Sequence, residues 1–309
     1  MKRARCPAWL TLALAWLMFP SATAAATELP VPYGNGEMIR VALSDWDGPV
    51  AGADDYSCKP STEHPEPVVL IASTFLSAAV NWTALAPYLH NRGYCVFTFD
   101  YGRRLYNVGP GLDGMDPVPM SAQEVSAVVD KVLAATGAAK VDLVGHSQGG
   151  LVGRYYLNEL GGRDKVDQMV LLSSPYALTG LPVDVAELAR KAIPKDLYDA
   201  ILYNGRVVPL GFNLLDPWSV GAAMPLQPGI RYSQITDSAD EMGLLGGMRP
   251  PAGATNATTE YIDAVCPTDF SQHFAQPYSP TAVAMIGNVL DPTHPVALPC
   301  TVVPLYSFG

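Results

Sequence analysis

Apolar runs of strand length alternate along the chain with stretches whose apolar residues recur at helical spacing. That order predicts a mostly parallel central sheet with helices on both faces. Residues 68–72, 94–100, 140–144, 165–172 and 230–235 read as strands. Helices are expected around 83–91, over 148–160 with Gly161-Gly162 as the stop, and over 279–290. A further helix precedes the third strand: Val125, Val128, Val129, Val132 and Leu133 make one apolar stripe and Gly137 ends it. Ser121 and Glu124 have the S-x-x-E spacing of a capping box at its start.

Two regions leave this alternation. Lys2, Arg3 and Arg5 precede an apolar run over 8–19, and the small residues Ser21-Ala22-Thr23-Ala24-Ala25-Ala26 follow. Residues 1–24 are therefore expected to be a signal peptide cleaved after Ala24 or Ala26, too short to anchor in a bilayer. Residues 176–229 break into short, proline-interrupted apolar pieces, which predicts a cap or lid insertion over the catalytic edge; ordinary surface helices and loops are the alternative. With no repeat or low-complexity linker, residues 27–309 are expected to form one domain, working as a monomer.

The 309 residues carry a formal charge of -10, and 49% of them are hydrophobic. Loss of the first 24 removes three basic residues, leaving 16 minus 29, or -13. Such a surface disfavours nucleic acid and anionic lipid heads, and no later segment is apolar enough for stable membrane insertion. Four cysteines remain after cleavage, Cys58, Cys95, Cys266 and Cys300, and an even count in a secreted chain predicts two disulfides. Of three possible pairings, Cys58 with Cys95 and Cys266 with Cys300 is favoured if 68–72 and 94–100 are neighbouring parallel strands, which puts the first two at one sheet edge. The spacing fits no zinc site, and no metal or organic cofactor is expected. Gly109-Pro110-Gly111-Leu112-Asp113-Gly114 matches G-x-G-x-x-G, but Pro117 and Pro119 intervene before any helix, so it reads as a loop.

The segment Gly145-His146-Ser147-Gln148-Gly149-Gly150 follows a strand and opens a helix, the setting of a nucleophile elbow. A serine hydroxyl needs a histidine to take its proton and a carboxylate to orient that histidine, and behind such an elbow the order is Ser, acid, His. Only His273 and His294 follow Ser147. His273, in a loop ahead of the closing helix, is preferred; His294 lies beyond that helix. For the acid, Asp237 and Asp240 after the strand at 230–235 both compete, and either type of residue also serves as a turn-former.

The stretches Asp55-Tyr56-Ser57-Cys58-Lys59-Pro60, Asn81 to Leu89, Arg92 to Phe97, Val141 to Gly150 and Cys266 to His273 together resemble the secreted class 2 lipases of actinobacteria. The resemblance implies an α/β-hydrolase fold acting on carboxylic esters, commonly triacylglycerols, with an acyl-ester or lipid substrate. It implies Ser147 as nucleophile, His273 as base, Asp240 as acid and the same two disulfides. Oxyanion donors would be the backbone N–H groups of Gln148 and Thr74. At one place the chain departs from that pattern. The lipases carry His-Gly where this chain has Ala72-Ser73. Either Ser73 adopts the same turn, or the oxyanion hole is malformed until substrate binds, or the substrate range is altered. An acyltransferase using the same triad, and a lipid-binding relative with decayed chemistry, are the competing functions.

Overall fold

The computed structural model describes residues 28–103, 112–177, 194, 196–197, 224–245 and 247–304. The expected signal peptide, most of the expected cap and residues 109–111 of the glycine-rich loop lie outside them. In chain order the elements are α1 (Asn35–Ser44), β1 (Val68–Ile71), α2 (Ala78–Trp82), α3 (Leu85–Asn91), β2 (Val96–Phe99), α4 (Val118–Thr136), β3 (Val141–His146) and α5 (Gln148–Glu159). There follow β4 (Val166–Leu172), β5 (Arg231–Thr236), β6 (Ala257–Tyr261), α6 (Ile262–Val265) and α7 (Pro280–Leu290).

The six strands form one sheet in the order β2-β1-β3-β4-β5-β6, every pair parallel. Its central strands are largely apolar because both faces are covered: every residue of β1 and β3 is buried, with Asp142 and His146 the polar members of β3. Gly153 of α5 approaches Met169 and Ile71 closely, and Gly287 of α7 approaches Tyr88 of α3. The chain runs from β1 to β2 on one side and then returns to lay β3 on the other. The direction of winding therefore reverses between β1 and β3, and a crevice opens there at the carboxyl ends of the strands.

Several expectations are corrected in detail. The helix expected around 83–91 is α3, and α1, the short α2 just before it and β6 were not anticipated. Strand β6 alternates partly buried and exposed residues at the sheet edge, so it offers no apolar run. The capping box at Ser121 and Glu124 is not formed, because α4 begins at Val118 behind Pro117, whose fixed φ starts a helix where no N–H is needed. Glu124 instead accepts from the Gly102 N–H at 3.0 Å. Gly137 closes α4 at φ 79°, as its position suggested.

Cys58 is bonded to Cys95 and Cys266 to Cys300. The first pair lies where β1 and β2, parallel neighbours in register from Val68 and Val96, begin. Among the described residues no helix is long and apolar enough to cross a membrane.

Asp142 sits inside β3, 3% exposed, with Oδ2 accepting from Gln168 Nε2 at 2.8 Å. Burial, offset in part by that hydrogen bond and reinforced by Glu66 and Asp167, pushes its carboxyl up to about 8. The folded protein thus keeps a proton that the unfolded chain releases near pH ~4. Stability from this group is complete below that pH and is lost as pH rises through about 8. Urea unfolding should therefore show a steeper fall between about pH 5 and about pH 8 in the parent than in Asp142→Asn. Parallel declines would mean that Asp142 is solvated as an ion.

Candidate active site

Strand β3 ends in His146, and the chain reverses into α5 at Ser147, a non-glycine residue held at φ 53°. That strained turn lifts the hydroxyl out of the crevice wall. The flanking glycines are sterically required. A Cβ on Gly145 would lie 2.6 Å from the Gly150 backbone nitrogen, and one on Gly149 would lie 2.2 Å from the Ile71 carbonyl oxygen. The Ser147 N–H donates to Leu172 O at 2.9 Å, which fastens the elbow to the end of β4.

His273 lies in the loop between α6 and α7 and is 2% exposed. Its Nε2 stands 2.7 Å from Ser147 Oγ, and its Nδ1 stands 3.1 Å from each carboxylate oxygen of Asp240. Asp240 follows β5 and also accepts from Gln276 Nε2 at 2.9 Å and from the Met242 N–H at 2.8 Å. Burial raises its carboxyl, but the His273 hydrogen bond and charge outweigh it and hold the group below the usual carboxylate range. Asp237, the competing residue, makes no bond to His273. Its Oδ1 accepts from the Ala239 N–H at 2.7 Å, and burial pushes its carboxyl up to about 7. His294 is 71% exposed, paired with Asp291 at the far end of α7.

The loop after β1 faces the elbow. Ala72 O accepts from Tyr101 Oη at 2.7 Å, the Ser73 N–H donates to Asn81 Oδ1 at 3.0 Å, and the Phe75 N–H donates to Asp113 O at 2.8 Å. Between these tethers, the Thr74 N–H has no partner among the described residues. Thr74 Oγ1 donates to Gln148 Oε1 at 2.8 Å, tying the loop to the first residue of α5, where backbone N–H groups have no intrahelical acceptor. Ser73 is not among the residues with positive φ, so the replacement of glycine there carries no backbone strain; that strain sits at Phe75, φ 70°. Gly114, the end of the glycine-rich loop, packs within 3.0 Å of Thr74 Cα when given a Cβ and so belongs to this wall.

Other polar residues complete the site without having been singled out from the sequence. Glu241 Oε2 accepts from the His273 N–H at 3.1 Å, and Ser173 Oγ donates to Gln276 Oε1. Gln276 follows His273 by three residues, and that proximity was the only signal for it. One acidic group, Asp47 with Asp100 and Asp113, has metal-like spacing, but Arg103 donates to all three carboxylates. It is accounted for as an ion-pair network.

Residues 67–212 match the family model of the alpha/beta hydrolase fold. A triacylglycerol lipase of Pseudarthrobacter phenanthrenivorans is 34% identical over 108 residues, covering 33% of this chain and 30% of that protein. One from Burkholderia plantarii is 34% identical over 108 residues, covering 33% and 26%. The chain thus spans less than a third of the length of either relative. Among solved structures, Aspergillus fumigatus lipase B superposes with a TM-score of 0.50 at 16% identity, over 81% of this chain and 56% of that one. The chain has the α/β-hydrolase fold. The curated relatives it matches are triacylglycerol lipases.

The steric demand at the elbow can be checked directly. Gly149→Ala should leave no soluble folded protein or cost at least about a hundredfold in activity, since its Cβ collides with backbone that cannot give way. Gly243→Ala, where a Cβ meets nothing within 4 Å, should fold and melt as the parent does. A well-folded, fully active Gly149→Ala protein would contradict the contact with Ile71.

Proposed function

We propose that the protein is a secreted serine carboxylic-ester hydrolase of the lipase type, acting on triacylglycerols or related acyl esters. The observation that carries this reading is the line from Ser147 Oγ through both nitrogens of His273 to Asp240, each step within 3.1 Å. Ser147 Oγ attacks the ester carbonyl as its proton passes to His273 Nε2. Asp240 holds the imidazole in the tautomer that accepts at Nε2 and stabilises the imidazolium that forms. The Gln148 and Thr74 N–H groups receive the developing oxyanion. His273 then returns the proton to the leaving alcohol, and water, activated by the same ring, hydrolyses the acyl-enzyme.

Residues around the mouth suit an apolar acyl chain. Phe274 is 39% exposed with its ring edge-on to His273. Secretion is supported by the two disulfides and by the basic and apolar pattern of residues 1–24. A cap formed by residues 176–229 and a monomeric state belong to the same proposal.

An organophosphonate should label Ser147, read by mass spectrometry of the digested adduct, and a panel of p-nitrophenyl esters of increasing acyl length should be hydrolysed. A folded protein that neither labels nor hydrolyses would instead be a lipid-binding relative. His273→Ala should lower turnover by several orders of magnitude, whereas His294→Ala should stay within about tenfold. Asp240→Asn should be far more harmful than Asp237→Asn; equal mild losses would place the acid elsewhere.

The oxyanion loop gives a separate expectation. Because Ser73 already takes an ordinary backbone conformation, Ser73→Gly should leave kcat within about threefold of the parent. A gain of tenfold or more, roughly what a partly misplaced oxyanion donor costs, would show the loop to be malformed.

A further inference from the structure

We propose that Asn81 and His146 are positioning residues that lock the loop carrying Thr74 to the loop carrying His273; this rests on the assignment of Ser147 and His273 given above. Both side chains are fully buried. Asn81 Oδ1 accepts from the Ser73 N–H at 3.0 Å and lies 2.9 Å from His146 Nδ1. On the other side of the ring, His146 Nε2 lies 3.0 Å from the backbone carbonyl oxygen of His273. The path therefore begins one residue before an oxyanion donor, passes the residue before the nucleophile and ends on the base itself.

Packing alone does not account for these residue types. An apolar side chain of similar size at 81 would fill the same volume and bury no amide, whereas Asn81 Nδ2 is buried with no partner among the described residues. What the asparagine supplies is its carbonyl oxygen, and that oxygen faces the oxyanion loop and His146. The His146 ring is further fixed edge-on to Trp82, with centroids 6.3 Å apart. Burial, followed by the neighbouring His273 charge, holds this imidazole neutral, its pKa lowered to about 3. It carries one N–H against two acceptors, so it donates to one and is held against the other by packing.

This bracket also does the work that the Ala72-Ser73 departure left open. No side chain at 72 reaches out to brace the loop, because Ala72 has none to spare. Asn81 holds the next backbone N–H instead, from the end of α2. The separation between the Thr74 N–H and His273 Nε2 is then fixed from behind. That separation matters in the transition state, when charge grows on the carbonyl oxygen and the proton has moved to His273. It matters little to ground-state binding, so its loss should appear in kcat.

The test compares the parent with Asn81→Ala, His146→Ala and the double variant on a soluble short-chain ester. Rates are expressed per phosphonate-labelled Ser147, so that misfolded molecules do not count. Each single variant should lose about tenfold or more in kcat with KM within about twofold. The double variant should lose no more than about twofold beyond the worse single, because the two act as one unit. Asn81→Asp, which keeps an acceptor for both the Ser73 N–H and His146, should recover most of the loss. Parent kcat per labelled site in Asn81→Ala, or losses that multiply in the double variant, would overturn the inference. A parent that does not label at Ser147 fails the functional reading instead. Should none of the variants fold, amide exchange in the parent decides: the Ser73 N–H should exchange as slowly as β1, and exchange at open-loop rates overturns the bracket.

Discussion

Everything at the site depends on how closely the first turn of α5 lies against the end of β1. Strands β1 and β3 pair in a register that sets Ile71 beside Gly145, so the two chains emerge from the sheet at the same level. From there β3 must reverse into a helix while β1 must let its carbonyls point at that helix. Gly149 makes this possible, since its missing side chain would otherwise meet the oxygens of Ile71 and Ala72. The strained φ of Ser147 and the unpartnered Thr74 N–H are consequences of the same approach. In the proposed reaction, a reversal any wider would separate the hydroxyl from the donor that would receive the charge its attack creates.

The histidine and its acid are brought to this point by a second register. Strands β4 and β5 pair with Leu172 beside Ile235, which sets Ser173 next to Thr236, their hydroxyls 2.9 Å apart. Ser173 and Asp240 then share Gln276, which donates to the carboxylate and accepts from the hydroxyl. The carboxylate is thereby fixed by groups belonging to three separate stretches of chain. Two aspartates three residues apart end in opposite electrostatic states. Asp240 is held below the usual carboxylate range by its bond to His273, whereas Asp237, buried and without such a partner, is raised towards the protonated form. An ionised Asp237 would add a second negative charge beside the pair, and burial suppresses it.

How much of this could be read from the residues follows from what each one is buried against. Strands β1, β3 and β4 were legible because a strand covered on both faces must be an apolar run, and β6 was not because an edge strand need not be. The cap of α4 was misplaced by four residues: the Ser-x-x-Glu spacing mimics a cap at Ser121, but Pro117 already sets the entry and Glu124 turns to the Gly102 N–H. Ser147 and His273 were limited by chain order to very few candidates. The choice between Asp237 and Asp240 could not be made from local chemistry, because each carboxylate does accept from a backbone N–H two residues on. Only the placement of the turn relative to His273 separates them. Asn81 carried a misleading signal, heading an Asn-Trp-Thr sequon, yet it is fully buried and its amide lies inside the protein. A buried asparagine has no sequence mark that distinguishes it from an exposed one.

The anchors of the variable parts of the chain follow one logic: each is placed where a strand or helix of the core ends. The segment bearing His273 lies between Cys266 and Cys300, closed into a loop whose ends cannot drift apart. Closing a loop with that sequence separation of 34 is worth about 4 kcal/mol in the chain-entropy picture. At the other side of the crevice Arg154 of α5 is 1% exposed, and burial lowers its pKa. It donates to the carbonyl oxygens of Tyr176 and Met224. Those two residues are where the chain leaves the β4 end and where it comes back towards β5. A guanidinium buried against backbone carbonyls is expensive to desolvate, and the cost is offset only if both carbonyls stay in place. Helix α5, which opens behind Ser147, therefore holds the chain on both sides of the intervening 47 residues, and Gly247 is pressed against the Ala177 carbonyl. One helix thus carries these two anchors and opens directly behind the elbow, the kind of rigid support a preorganised site requires.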